Sequence, residues 1–424
     1  MRFIKNKEDK NIILFYLANL ISIFGTTMYT FAISLYTLKI TGSSISFSTT
    51  LILSILPIII LNPFVGVIAD KFNKKKLVIT ANLLNAIFLF IVYLVSNWKG
   101  LSIGIIYLST FTITSINIIF DVSIDSAIPN MVSKEKLVNI NAGNRIIDSI
   151  SSILGPVIGG IAFAMLNIEF FILINSISFL ISAIIDTLID FKYNINSELE
   201  ENQSKNITIE KLNYFREIVE GFKYLISKKN IIEILTIFII INFFISLSVT
   251  IPIPIILNNI LKLPSKSYGI IQGAVPIGMI LGAFMVKKIM TKHKLNIIFS
   301  TIGIAMAINI ILVAIPLLFK DINNINIYVA YYLFIMLFMG VCISLVDIPF
   351  SYNMQANIDE EYRARALSLT ISIVKVVVPI SYLISGLLLQ SIEAYIVVLF
   401  GGISVLIVSI IFNKYVLKQN KVNA

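Results

Sequence analysis

Twelve long apolar stretches dominate this chain, six before and six after one long charged segment. Ten of them run about 20 residues or more without a charged side chain, as in Leu77–Trp98, Ile234–Leu261 and Leu295–Phe319. An α-helix rises about 1.5 Å per residue, so roughly 20 apolar residues cross a hydrocarbon core about 30 Å thick. The pattern predicts an all-α polytopic membrane protein with twelve transmembrane helices.

The two remaining stretches each carry one charge. Phe170–Ile189 contains Asp186 near its end, and Ala366–Gln390 contains Lys375. Hydrophobic residues make up 57% of the chain and charged residues 13%, which is more apolar surface than a soluble protein of 424 residues can cover. Composition therefore agrees with twelve spans.

The net charge of +10 reflects topology rather than nucleic-acid binding. If the N-terminus is cytoplasmic, only five of the 33 lysines and arginines fall outside, namely Lys39, Lys99, Lys262, Lys266 and Lys320. That asymmetry follows the positive-inside rule and predicts both termini on the cytoplasmic side of the cell membrane.

The few cysteine and histidine residues bear on whether the chain can bind a metal or act as an enzyme. Cys342 is the single cysteine, and His293 is the single histidine, between Lys292 and Lys294. Neither residue belongs to a cluster that would bind a metal, and the chain has no phosphate-binding loop of the Gly-x-x-x-x-Gly-Lys-Ser/Thr type. We therefore expect no metal, no cofactor and no enzymatic activity.

The charged segment divides the chain into residues 1–190, a linker at residues 191–230, and residues 231–424. The later part of the linker, Thr208–Lys228, has apolar residues at steps of three and four with lysine and arginine between them. This pattern predicts an amphipathic helix, which either lies on the inner membrane surface or packs against the ends of the bundles.

A weak internal repeat relates the two halves. A shift of 226 residues aligns Asp121 with Asp347, Val132 with Ile358, Glu135 with Glu361, and Gly160 with Gly386. The set indicates a duplicated six-helix unit, and parallel repeats are a known architecture of secondary transporters.

The loop after the second span combines a glycine, a carboxylate and several basic residues. The matching residues are Gly66, Asp70, Lys71, Lys74 and Lys75. This segment resembles the signature of the major facilitator superfamily, Gly-x-x-x-Asp-Arg/Lys-x-Gly-Arg/Lys-Arg/Lys, with Asn73 in place of the second glycine. Asparagine tolerates a left-handed backbone, so we expect the turn to persist. The second half repeats Gly282, Lys287 and Lys288 but has Val286 in place of the aspartate.

A second motif lies in the fifth span, where Gly155, Pro156, Gly159 and Gly160 occur together. It resembles the Gly-Pro-x-x-Gly-Gly motif of exporters in the superfamily, in which the helix bends and packs tightly. Ser126–Leu137 and Phe215–Leu225 are similar to the branch containing macrolide-efflux proteins and the enterobactin exporter. The resemblance implies the twelve-helix major facilitator fold and favours export.

Charged side chains within a bilayer are costly, so each is a functional candidate. In related transporters a carboxylate of the fourth span forms a charge cluster with the loop motif, and this cluster holds the two halves together. The resemblance therefore implies a cluster of Asp70 and Lys74 with Asp121 or Asp125. The alternative is a carboxylate that reaches the inner surface. Residues considered for coupling or substrate binding are Asp148, Asp347, Lys375 and the polar Asn19 of the first span; pairing with Arg145 is the alternative for Asp148.

Together these features predict a monomeric secondary active transporter that is surrounded by membrane lipids and uses protons as the coupling ion. We expect it to export a small amphipathic compound by alternating access. An importer of a small nutrient and a lipid flippase remain the alternatives, and the sequence does not name the substrate.

Overall fold

The structure is a computed structural model that describes residues 7–61, 65, 72–133, 136–193, 222–292, 295–318, 325–358 and 360–422. Within these ranges the chain forms helices and connecting loops without a β-strand, and twelve helices are long and apolar enough to cross a membrane. The prediction of an all-α polytopic protein is confirmed.

The helices occur in two sets of six along the chain. The first set is α1 (Lys7–Thr41), α2 (Ser44–Leu53), α3 (Lys74–Lys99), α4 (Ile103–Met131), α5 (Leu137–Met165) and α6 (Ile168–Leu188). The second set is α7 (Lys229–Ile245), α8 (Ser265–Lys292), α9 (Leu295–Leu318), α10 (Ile325–Asn357), α11 (Glu360–Ser391) and α12 (Ala394–Val422). After a turn, α2 continues as the span Ser44–Leu61.

The span of α7 continues through an irregular segment. Two π-helical stretches, Ser246–Thr250 and Ile255–Ile260, flank a single turn at Pro252–Pro254. Proline has no N–H to donate to the carbonyl four residues earlier, so Pro252 and Pro254 interrupt the regular α-helical hydrogen bonds of the turn before them. Gly401 of α12 lies so close that a methyl group there would overlap the Ser248 hydroxyl.

The start of α3 corrects one expectation about the loop motif. Asn73 has φ −63° and ψ 111°, and its side chain accepts a hydrogen bond from the backbone N–H of Lys76 at 3.2 Å. The residue is therefore an extended N-cap, and the prediction of a left-handed turn at this position is wrong. An N-cap needs a side-chain acceptor, which asparagine supplies and glycine lacks.

The helices group into two compact units. The first unit comprises Met1–Thr37 and Leu53–Lys211, and the second comprises Leu38–Ile52 and Leu212–Ala424. The short segment Leu38–Ile52 belongs to the second unit because Leu38 and Phe47 pack with Ile251. Ser44 also donates a hydrogen bond to the carbonyl of Gly386, at 2.8 Å.

Corresponding helices pack together in each unit. In the first unit α3 lies along α6, and in the second unit α9 lies along α12. In the second unit α8 also packs closely against α10, where methyl groups at Gly278 and Gly340 would overlap the carbonyls of Leu337 and Val275. Small residues at such positions allow the close backbone approach that joins helices in a membrane.

Most of the predicted linker lies outside the described residues, and so does the greater part of the amphipathic helix predicted at Thr208–Lys228. Residues 222–227 form a short helix just before α7.

Candidate functional site

The lysines of the loop motif bind main-chain carbonyls of neighbouring helices in the first unit. Lys74 donates to the carbonyl of Ser126 on α4 at 2.8 Å. Lys75 donates to the carbonyls of Thr187 and Ile189, at the end of α6, at 2.8 Å each. The last carbonyls of a helix have no partner within the helix, so the Lys75 ammonium satisfies those at the end of α6 and complements the helix dipole.

Other members of this motif, Gly66, Asp70 and Lys71, lie outside the described residues. Asp121 and Asp125 of α4 are exposed. The charge cluster that the resemblance implies therefore stays a prediction.

A second group of contacts joins the start of α1 to the same region. The buried amide of Asn11 donates to the carbonyls of Met131 and Asp190, at 3.2 and 3.0 Å, and accepts from the N–H of Asp190 at 3.0 Å. One side chain thus links α1 with the ends of α4 and α6.

An ion cluster that sequence analysis missed lies beside this amide. Lys136 donates to Asp9 at 2.6 Å and lies 3.2 Å from Glu8, whose other oxygen accepts from the N–H and hydroxyl of Ser133 at 2.7 and 2.6 Å. The hydrogen bond to Asp9 raises the pKa of Lys136. The cluster fixes the α4–α5 connection to α1. Asp9 and Lys136 are 127 residues apart, so no local pattern in the sequence relates them.

The glycines of the fifth-helix motif face α1. A methyl group at Gly155 would lie 2.5 Å from the Thr27 side chain, and one at Gly159 would lie 3.3 Å from the Met28 carbonyl. Pro156 lies inside the helix between them, and Gly160 is buried. Residues with a side chain at these positions would push α5 away from α1.

The remaining candidates occupy different environments. Asn19 of α1 is buried and donates its amide to Asn144 of α5. Asp148 lies one turn beyond Asn144 and is half-buried, but the side chain of Arg145 lies outside the described part of the chain. The proposed pairing of Asp148 with Arg145 remains a prediction.

Two candidates of the second unit differ in exposure. Asp347 of α10 is half-buried, whereas Lys375 of α11 is exposed. Neither side chain has an ion-pair partner among the described residues. The structure does not bring Asp347 and Lys375 together into one described cluster.

A buried polar cluster surrounds Asp186, which the sequence suggested only as a charge within a span. We call Ser22, Asn82, Ser182 and Asp186 the Asp186 cluster; all four side chains are buried. Asn82 of α3 donates to Asp186 Oδ2 at 2.8 Å and to Ser182 Oγ at 3.0 Å, both on α6. Its carbonyl oxygen accepts from Ser22 of α1 at 3.2 Å.

A parallel chain of amides and hydroxyls lies deeper in the same unit. Asn85 donates to Asn117 of α4 at 2.7 Å, and Asn117 donates to Thr26 of α1 at 3.2 Å. Hydrogen bonds of this kind join helices where no water is present to satisfy polar groups. Asn82 and Asn85 stand at positions i and i+3 of α3, a spacing that marks a polar face of this helix but does not identify the partners on α4 and α6.

Comparison with known proteins agrees with the fold. The family model described as Major Facilitator Superfamily matches residues 15–382. Macrolide efflux protein A of Streptococcus pyogenes is 22% identical over 375 residues, which cover 87% of this chain and 86% of that protein. The MFS-type transporter YfmI of Bacillus subtilis is 23% identical over 403 residues, covering 94% and 95%.

Solved structures give the same result. The nucleoside transporter NupG matches with a TM-score of 0.69 and 15% identity over 96% of this chain and 98% of its own. A bacterial homologue of the iron transporter ferroportin, in an inward-facing state, matches with a TM-score of 0.69 and 17% identity, covering 96% and 98%. With the family model spanning most of the chain and twelve apolar helices in two units, this protein belongs to the major facilitator superfamily of transporters.

Proposed function

We propose that the protein exports a small amphipathic compound from the cytoplasm in exchange for protons. The packing of Gly155 and Gly159 of α5 against α1 is the observation that carries the proposal. This packing is what an exporter motif requires, and the similarity to macrolide efflux protein A over 87% of the chain supports the same direction of transport.

The polar groups inside the first unit suit such a substrate. The buried side chains that cross between its helices are mostly neutral amides and hydroxyls, as in the Asn19–Asn144 and Asn85–Asn117 contacts. Neutral donors and acceptors recognise an amphipathic molecule without the desolvation cost of a full charge. We infer alternating access of the two six-helix units, with both termini in the cytoplasm and the protein as a monomer.

The charge cluster of the loop motif is proposed as the gate. Asp70 is expected to bind Lys74 together with Asp121 or Asp125 in one state of the transport cycle and to release them in the other. The described hydrogen bond from Lys74 to Ser126, the residue after Asp125, supports a role for this part of α4.

Transport in everted membrane vesicles tests the proposal. Vesicles containing the protein are given erythromycin, ethidium or enterobactin while internal pH and compound accumulation are followed, and vesicles lacking the protein serve as the control. We expect one compound to accumulate and to dissipate the pH gradient. Uptake of the compound into intact cells without accumulation in everted vesicles would instead identify an importer, and loss of lipid asymmetry alone would identify a flippase.

A further inference from the structure

We propose that Asp186 is a proton-exchanging residue of the transport cycle. This inference rests on the proposed proton coupling and names a carboxyl group that takes part in it. Asp186 lies within the last turn of α6 with only 1% of its surface exposed. A carboxyl group at such a position is costly to keep charged, so its presence calls for a role.

The hydrogen bonds around Asp186 determine which oxygen exchanges the proton. Ser22 donates to the Asn82 carbonyl, so the Asn82 amide nitrogen must face α6. Ser182 uses its own proton on the carbonyl of Ala18, at 2.9 Å, and so accepts from Asn82. Asn82 is thereby held as a donor, and Asp186 Oδ2 accepts from it in either protonation state.

The other oxygen has no such partner. Asp186 Oδ1 is buried and has no hydrogen-bond partner among the described residues. A proton that binds Oδ1 forms an O–H bond and removes the negative charge, and its release restores the carboxylate. Neither step breaks a hydrogen bond of the Asp186 cluster.

A lysine of α3 acts on this carboxyl group. Lys75 of α3 attracts Asp186 electrostatically, and its ammonium is held on the carbonyls of Thr187 and Ile189 next to it. The acidic residues of α1, Glu8 and Asp9, are bound to Lys136 instead. Lys75 favours the charged form of Asp186 and so assists loss of the proton from Oδ1. Asp186 lies in the last turn of α6, at the end that the topology predicts to be cytoplasmic, so we infer that the proton leaves to the cytoplasm.

The corresponding helix pair of the second unit shows whether a carboxyl group is needed for packing. Its α9–α12 pair, which corresponds to α3–α6, is joined by a hydrogen bond of 3.2 Å from Ser300 to the amide oxygen of Asn413. A neutral amide is enough to join this helix pair. The carboxyl group of Asp186 is thus not required to join α3 and α6. It differs from the amide of Asn413 in that it can lose a proton.

The test compares Asp186→Asn with Asp190→Asn in proteoliposomes of the full-length protein, with erythromycin as the probe. Asparagine keeps the acceptor for Asn82 but cannot exchange a proton, whereas Asp190 is an exposed carboxylate four residues away. We expect Asp186→Asn to keep exchange of labelled erythromycin between equal pools and to lose about ten-fold or more of its accumulation driven by a pH gradient. Asp190→Asn should behave like the wild type, and pH-driven accumulation by Asp186→Asn at the wild-type level would overturn the proposal.

A second measurement is independent of substrate. Infrared difference spectra on pH steps should show a protonated carboxyl stretch in the wild type and in Asp190→Asn that is absent from Asp186→Asn. Absence of a band specific to Asp186 would overturn the inference. If the wild type accumulates no erythromycin, the proposed function fails for this compound, and the infrared titration alone decides on Asp186.

Discussion

Each of the two compact units holds a pair of helices together in a different chemical way. In the first unit the α3–α6 pair is joined by buried side chains that include the carboxyl group of Asp186. In the second unit α9 and α12 are joined by a hydroxyl and an amide, and by the close approach of Gly303 to Ser409. Tight helix contact in a membrane therefore needs small or neutral polar residues, and a carboxyl group adds a cost without improving the contact.

This difference between the units helps to separate residues that are needed for packing from residues that are candidates for transport. If the units descend from one duplicated unit, features present in both are explained by folding, and features present in one are candidates for transport. The α3–α6 pair contains the buried carboxyl group of Asp186, whereas α9 and α12 contain no acidic residue. Asp70 occurs in the first copy of the loop motif, where the second copy has Val286.

The largest effect is expected where the second unit relies on backbone contact. A methyl group in Gly278→Ala would overlap the Leu337 carbonyl, which cannot move to another rotamer, so we expect a loss of about 3 kcal/mol in stability. The matched variant Gly104→Ala, at a site with nothing within 4 Å, should be neutral or slightly stabilised. Thermal unfolding of the purified protein in detergent measures both; equal melting temperatures would contradict the described α8–α10 contact.

The loop motif gives the next comparison. Asp70→Asn should insert and fold normally but slow transport about ten-fold, because a coupling of about 1–3 kcal/mol is enough to change the populations of the two transport states. The initial rate of erythromycin efflux at matched expression measures the effect, with the exposed Lys76→Gln as the control. Normal transport by Asp70→Asn would make the motif a topological marker only.

Removing the donor from each unit's polar contact should have unequal effects. Asn82→Leu leaves the Asp186 carboxyl group and the Ser22 hydroxyl without their partner and should cost about 1–3 kcal/mol. Ser300→Ala should cost about 0.5–1 kcal/mol, since Asn413 loses one neutral hydrogen bond. Chemical denaturation measures the free energy of unfolding of the two variants. A larger decrease for Ser300→Ala than for Asn82→Leu would contradict our view that the Asn82–Asp186 contact contributes more to stability.

Lys375 of the second unit is an exposed charge, whereas Asp186 of the first unit is buried. Lys375 is surrounded in sequence by Ile373, Val374, Val376 and Val377, which cannot solvate an ammonium group, so we expect it to face a water-filled cavity and to bind an anion or a carboxylate. Lys375→Met should lower transport about ten-fold, while Lys375→Arg should retain part of it. Full activity in both variants, measured by erythromycin accumulation, would show that this charge is tolerated without a role.

The sequence predicted the fold because helix length and lack of charge determine membrane insertion almost by themselves. The spans, the motifs and the glycine positions follow from local pattern, and residues such as Gly155 and Gly278 lie at close helix contacts. What the pattern did not reveal is which polar residues meet across helices. Asn82 and Asp186 are 104 residues apart, and no local periodicity relates them.

The hydrogen bonds at the helix ends also could not be predicted from the sequence. The substitution of Asn73 for glycine was interpreted through backbone freedom, whereas its side chain serves as an N-cap. Lys74 was expected to join a cluster of carboxylates, which stays a prediction, and its described hydrogen bond is to the carbonyl of Ser126. Lys75, for which no contact was predicted, binds the free carbonyls at the end of α6. A carbonyl acceptor is invisible in a sequence because every residue carries one.

The smallest expected effect concerns the ion cluster of the first unit, whose lysine side chain is 31% exposed. Lys136→Met removes the contacts to Glu8 and Asp9 and should cost less than about 1 kcal/mol, with a smaller cost at high salt, because an exposed ion pair is screened by water and ions. The hydrogen bond to Asp9 raises the pKa of Lys136 above its ordinary value of 10.5, so the stabilisation is fully present below that value and is lost as the pH rises through the folded-state pKa. Denaturation of wild type, Lys136→Met and the control Lys76→Met at about pH 7 and about pH 9 should therefore give the same small gap at both values. A gap that grows with salt would show that Lys136 acts through apolar packing of its stem instead of through its charge.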